Sequence, residues 1–332
     1  MAVADATGKH PLKTPLARAA IALLCVILLG ILFNAQGTFF KWSTHRDMLR
    51  HVSVYAILAC GMTLVIITAG IDLAVGSLLA LNAVFFSILT MHWAWPAWLA
   101  ILACLAVGLL CGAASGTLIA AFRIQPFIAT LAMMVFARGV AKWISGGQKI
   151  STAVPMADGT YRYVEAPPIF GFLSSKVFHE NIAIVTLIFI FCALVSWIIL
   201  SRLRLGRYMF AVGGNEEAAR LSGIPVAATK VAAYALSGFF CAVAGICQAA
   251  QEVQGDPETG SGYELTAIAI AVIGGSSLAG GRGGIGLTVV GALTIGYLEK
   301  ILSINAVGES TRLMLTGVII IGAVLLQKFR KT

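Results

Sequence analysis

"RLRLGRYMFAVGGNEEAARLSGIPVAATK", residues 202–230, holds seven of the 37 charged side chains of this protein, and long apolar runs flank it on both sides. A short charged interruption in a chain that is otherwise hydrocarbon sets two questions: what solvent the rest of the chain is built for, and why the interruption is there.

The solvent follows from composition. Of the 332 residues, 59% are hydrophobic and only 11% charged, with a mean hydropathy of +0.93. Soluble domains carry roughly 25% charged residues, so the chain is read as an integral membrane protein. A bilayer core asks for about 20 apolar residues per helix, and spans are expected near 16–34, 52–70, 72–91, 95–122, 125–145, 180–201, 228–250, 263–280, 284–303 and 312–327. The fold class is therefore all-α and polytopic, about ten transmembrane helices. They form a single membrane domain over 1–332, with a tail at 1–15 and a polar loop at 202–230. No strand-like alternation supports an outer-membrane barrel.

Orientation follows from the basic residues. With the N-terminus cytoplasmic, thirteen Lys and Arg fall on the inner side with four acids, and ten fall outside with ten acids. The whole formal excess of +9 then sits on one face. Both termini and the 202–230 loop are expected on the cytoplasmic side. The basic balance reports topology, and no nucleic-acid partner is expected.

Enzyme chemistry is missing. The sequence has no G-x-x-x-x-G-K-S/T loop, no H-E-x-x-H and no Gly-x-Ser-x-Gly elbow. Its seven cysteines all lie in apolar spans without a C-x-x-C pair and are read as buried, inert thiols. No catalytic residue, metal site or cofactor is expected. Glycine is abundant, 35 residues. Gly108, Gly112 and Gly116 in "GLLCGAASG" recur every four residues and put a flat stripe on one helix face, for helix packing or for lining a path. "IGGSSLAGGRGGIGLTVVGAL" (273–293) suggests a non-helical turn through Gly274 and Gly275.

Charges inside spans are costly and informative. Asp72 stands before an apolar helix as an N-cap or as a pathway residue. Helix 5 is expected to start at Gln125, which puts Arg138 about 20 Å along it at 1.5 Å per residue. Such an arginine needs a partner, either in transport or in a structural pair with an acid such as Glu264. Asp72, Gln125, Arg138, Glu264, Gly274 and Gly275 are thus the candidate pathway or helix-break positions.

The opening segment reads as a discrete two-turn helix. Asn215 is a good N-cap, and Glu216 and Glu217 occupy the first turn, where the helix dipole favours anions. Arg220 falls in the last turn, Gly223 suits a left-handed C′ residue, and Pro225 prevents continuation. So short a helix is marginal alone in water. It serves as a joint between two spans or docks against a partner.

"GGNEEAARLSGIPVAATK" resembles the cytoplasmic loop of permeases from bacterial ABC importers for monosaccharides, the ribose/xylose/arabinose permease family. The likeness continues in "GMTLVIITAGIDLAVGS" (61–77), "QPFIATLAMMVFARG" (125–139), "ISGGQKI" (144–150) and "GYELTAIAIAVIGGSSLAGGRG" (262–283), in family order. The resemblance implies a homodimeric permease of the ABC importer fold in the bacterial inner membrane. Gly214, Asn215, Glu216, Glu217, Arg220 and Gly223 would form the helix that couples to a cytoplasmic ABC ATPase. A periplasmic sugar-binding protein would deliver the monosaccharide. Thr266, Lys149 and Leu287 depart from the family pattern, which bears on the particular sugar. Two other readings stand beside this one, a branched-chain amino acid permease and an ion-coupled secondary transporter.

Overall fold

The computed structural model describes residues 14–156, 159–308, 310–312, 314–315 and 317–318. Its helices are α1 (Pro15–Leu32), α2 (Trp42–Ile67), α3 (Val75–Ser87), α4 (Ala97–Ala121), α5 (Pro126–Ser145), α6 (Pro168–Ser174), α7 (Ile184–Arg202), α8 (Arg204–Gly214), α9 (Glu216–Leu221), α10 (Val226–Glu252), α11 (Tyr263–Gly274) and α12 (Ile285–Ile304). Among the described residues, seven helices are long and apolar enough to cross a membrane: α2, α3 with the π turn that extends it to His92, α4, α5, α7, α10 and α12. This is fewer than the ten expected. α1 and α11 are shorter apolar helices, and most of the expected 312–327 span lies outside the described residues.

The all-α expectation also needs a correction. The segment between α5 and α7 folds into two small antiparallel hairpins, β1 (Ala153–Pro155) with β2 (Tyr161–Tyr163), and β3 (Lys176–Val177) with β4 (Ile182–Ala183). The second hairpin lies where α2 begins. Trp42 donates to Asn181 at 2.7 Å and Arg46 to the Glu180 carbonyl at 2.7 Å.

α2 and α3 are almost wholly buried, whereas α4 and α5 turn most of their surface outward. Both classes are apolar all round, because a helix facing lipid and a helix facing protein both exclude charge. Tight approach of α4 to α10 joins the outer helices to the inner ones. A Cβ at Gly108 or Gly112 would overlap the carbonyl oxygens of Gly238 and Tyr234, and one at Gly116 would lie 2.7 Å from the Val231 Cα. The glycine stripe of α4 is thus a packing face, as small residues are between membrane helices.

Two crossings are interrupted. α11 has twelve residues, about 18 Å at 1.5 Å per residue, too short for a hydrocarbon core of about 30 Å. It ends at Gly275, whose φ of 112° suits a residue without a side chain. The expected 263–280 span was therefore drawn too long. The distance is made up by "VQGDPETGSG" (253–262), which the expected spans leave as a connection between helices. It runs back along α3: Gly255 lies against Ala83 and Val84, and Gly260 against Gly76, seven residues or about 10 Å further down that helix. The second interruption, 68–74 between α2 and α3, is enclosed at its inner end, where Asp72 is only 1% exposed, and opens at Ala69. Non-helical backbone at this depth is tolerated only when protein or enclosed water satisfies it.

α5 supplies much of that satisfaction to 253–262. Arg138 donates to the carbonyls of Pro257 and of Thr259, the latter at 2.7 Å. One turn on, Lys142 pairs with Glu258 at 2.5 Å, and beyond the helix Lys149 pairs with Asp256 at 3.1 Å. Ile150 and Gly255 exchange two backbone hydrogen bonds of 2.8 and 2.7 Å. The alternative partner for Arg138, Glu264, forms no ion pair with it among the described residues.

Two outcomes test this packing. Gly112→Val is expected to cost about 1–3 kcal/mol by overpacking, seen as a lower melting temperature in detergent, while Gly139→Val, with nothing within 4 Å of its Cβ, stays near wild type. Arg138→Ala is expected to cost about 1.5–3 kcal/mol for the charge-assisted bonds it loses. Lys142→Ala removes an exposed pair worth about 0–1 kcal/mol. Equal melting of Arg138→Ala and wild type would mean that the guanidinium does not hold the segment.

Candidate functional site

The segment 202–230 forms two short helices, α8 and α9, where one was expected before the span at 228–250. α8 is an amphipathic helix that follows α7 after a single residue, and it carries Arg204 and Arg207. α9 then begins at Glu216. The Asn215 side chain accepts from the Ala218 amide at 3.0 Å, so one of the free donors at the helix start is satisfied. Glu216 and Glu217 occupy the first turn and Arg220 the last, where it pairs with Glu216 at 3.1 Å. Gly223 adopts φ of 78°, and the Ile224 amide closes the end by bonding the Ala219 carbonyl at 3.0 Å. Pro225 stands directly before α10.

Two contacts tie this polar piece to the membrane body. Lys230, on the first turn of α10, donates to Glu216 at 2.6 Å, with only 16% of its side chain exposed. That hydrogen bond, ahead of the other causes, holds the Glu216 carboxyl below its ordinary range. Gly213 at the end of α8 abuts the Ile67 carbonyl and the Gly281 amide, and that amide also donates to Ile67 at 2.9 Å. The end of α2, the end of α8 and the 275–284 turn thus meet at one place. A cleft of about 290 Å³ opens beside them, lined by Thr68, Gly70, Gly214, Asn215, Lys230 and Tyr234 among others.

The remaining candidates separate into distinct places. Asp72 does not occupy the N-cap of α3, which is Ala74. It sits two residues earlier, accepting from the Ala74 amide at 3.0 Å and from the Ser237 hydroxyl at 2.8 Å. The turn from 68 to 74 rises into the interior before the helix begins, so the carboxylate closes that turn against α10. Glu264 lies in the first turn of α11, its carboxylate beside Gly76. Gly274 packs on the Leu287 carbonyl of α12 and Gly275 ends α11. Gln125 is the exposed residue before α5, with no side-chain cap bond. The structure therefore gathers the α9 residues at one end, brings Glu264 and the segment held by Arg138 to the Gly76–Gly260 contact, places Asp72 against Ser237 of α10, and leaves Gln125 apart. Lys230, Tyr234 and Ser237 were missed. Their spacing of four and three residues on α10 was the available signal.

A family model described as the branched-chain amino acid transport system / permease component matches residues 45–324. The chain is 40% identical to the ribose import permease protein RbsC of Escherichia coli strain K12 over 93% of this chain and 92% of that protein. It is 33% identical to the fructose import permease protein FrcC of Rhizobium meliloti, over 94% and 85%, and 31% identical to the xylose transport system permease protein XylH of Escherichia coli strain K12, over 92% and 89%. No solved structure matches the chain. Matched over most of its length, with interrupted crossings and a capped polar helix at one end, this chain belongs to that family of transport-system permease components, a multi-pass membrane protein and not an enzyme.

Proposed function

We propose that the protein is the membrane-spanning subunit of an ATP-driven ABC importer that carries a monosaccharide, a pentose or hexose, into the cytoplasm. In this reading it works as a homodimer in the bacterial inner membrane, both termini cytoplasmic, with a cytoplasmic ABC ATPase and a periplasmic sugar-binding protein. The observation that carries the reading is the similarity, at 31–40% identity across most of the chain, to permeases named for ribose, fructose and xylose. The family description leaves branched-chain amino acids as the second reading. Uptake in cells expressing the full transporter separates them: radiolabelled ribose, xylose or fructose is expected to enter and leucine is not. Leucine uptake without sugar uptake would overturn the choice. Sugar uptake that survives ATP depletion while the ion gradient is kept would favour an ion-coupled transporter instead.

α9 is the segment to which we assign ATPase docking. It is exposed, capped at both ends, and joined to the membrane body through Glu216. Arg220→Glu reverses the charge at a helix end that favours cations by about 0.3–1 kcal/mol, and Gly223→Val forces a β-branched residue into positive φ. Both variants are expected to reach the membrane in normal amounts yet copurify poorly with the ATPase. Full association in both would reduce α9 to a linker.

The charge asymmetry also has a direct test. In a Cys25→Ser background, because Cys25 is exposed while the other cysteines are buried or partly so, cysteines are placed at two exposed positions, Ser222 in the α9 turn and Ala166 beyond β2. Intact cells are expected to label Ala166→Cys with an impermeant thiol reagent and to leave Ser222→Cys unlabelled. The opposite pattern would invert the orientation.

A further inference from the structure

One face of α10 carries Lys230, Tyr234 and Ser237, at intervals of four and three residues, the spacing that aligns side chains along a helix. Each makes a polar contact off its own helix. Lys230 donates to Glu216 of α9 at 2.6 Å. The Tyr234 hydroxyl donates to the Ile71 carbonyl at 3.4 Å. Ser237 donates to Asp72 at 2.8 Å, and Asp72 in turn accepts from the Ala74 amide at the start of α3. Tyr234, Ser237 and Asp72 are each 0–1% exposed. A serine in an apolar helix ordinarily bonds the carbonyl of the preceding turn, as Ser201 does with Trp197. Ser237 instead reaches another segment. Tyr234 lies between the two stronger contacts, with its hydroxyl end against Gly70. The glycine stripe of α4 packs on the adjacent side of α10, at Val231, Gly238 and the backbone and Cβ of Tyr234, and the Lys230–Ser237 face is the side from which α10 engages the interrupted crossing.

We infer that Lys230, Tyr234 and Ser237 form a polar ladder that positions the 68–74 turn according to the state of α9, so that movement imposed on α9 is transmitted to the start of α3 through α10. The inference rests on the docking role assigned to α9 and adds the residues that carry its movement inward. Lys230 and Ser237 are seven residues apart, about 10 Å along the helix, and share no partner. Independent substitutions at such a distance would act separately. In the ladder they act on one outcome, the position of the turn.

A second physical route competes with it. Gly213 of α8 touches the Ile67 carbonyl directly, and α8 leads into α9. The two routes are separated by a reporter on the turn itself. Ala69 is exposed in the cleft, and Ala69→Cys in the Cys25→Ser background reports the turn by its rate of reaction with a water-soluble maleimide. The permease is purified with its bound ATPase and compared nucleotide-free and trapped with ATP and vanadate.

In the parent, the labelling rate is expected to change at least about threefold between the two states, within the range by which residues along a coupling route modulate it. Lys230→Met and Ser237→Ala are each expected to abolish the change while leaving ATPase association intact, and Lys230→Arg, which keeps the charge, to retain it. Tyr234→Phe removes only the middle hydroxyl and stands in for Ser237→Ala should that variant not accumulate. An unchanged shift in Lys230→Met and in the inner variant would assign transmission to the α8–α2 contact and overturn the ladder. So would a parent that shows no shift, or loss of the ATPase in Lys230→Met, which would make the pair part of the docking surface. If Arg220→Glu and Gly223→Val both keep full association, the docking assignment itself fails and the ladder falls with it. That result is distinct from intact docking with an unaltered Ala69→Cys shift.

Discussion

A backbone amide or carbonyl inside hydrocarbon has no water to bond, and the cost of leaving it bare is several kcal/mol. Everything distinctive in this permease follows from two places where the chain leaves the helix within a crossing. The turn 68–74 and the segment 253–262 are tolerated because α3, α5 and α10 close around them, and those helices are tied by the contacts that satisfy the broken segments. Regular helices such as α4 and α7 form the outer layer, where every backbone group is already paired and only apolar side chains need be shown.

The broken segments also explain where the few internal polar residues are. Arg138 has carbonyls to hold because 253–262 is not a helix. Asp72 has an amide and a serine hydroxyl because 68–74 is not one either. Neither group is paired with a charge of opposite sign among the described residues. Each answers the unpaired dipoles that an interruption creates, so the charge is part of the fold before it is part of transport.

What the sequence made legible was local. Apolar runs located most of the long helices to within a few residues, and α9 could be drawn from Asn215, Glu216, Glu217, Gly223 and Pro225 because a cap acts within one turn. What it hid was non-local. The polar composition of 253–262 is the same whether the segment lies in water or between α3 and α5, and the cations that hold it come from more than a hundred residues earlier. Ser237 shares a helix face with Lys230 and Tyr234, but that spacing does not name Asp72, 165 residues away, as the partner. The end of α11 was overrun because an apolar stretch shows where a helix is allowed, while its length is set by what the neighbouring segment already spans. α8 was missed because its basic residues were absorbed into a loop.

The shortness of α11 bears on how the chain enters the membrane during synthesis. A nascent helix is integrated when its own apolar length satisfies the bilayer, and twelve residues do not. α11 emerges attached to a polar segment on one side and a glycine-rich turn on the other. It acquires a stable place only when α12 follows it and α2 and α3 are present to receive it. A piece of the interior of this permease therefore reaches its final position late, and the ribosome must have passed residue 304 before α12 is there to receive it.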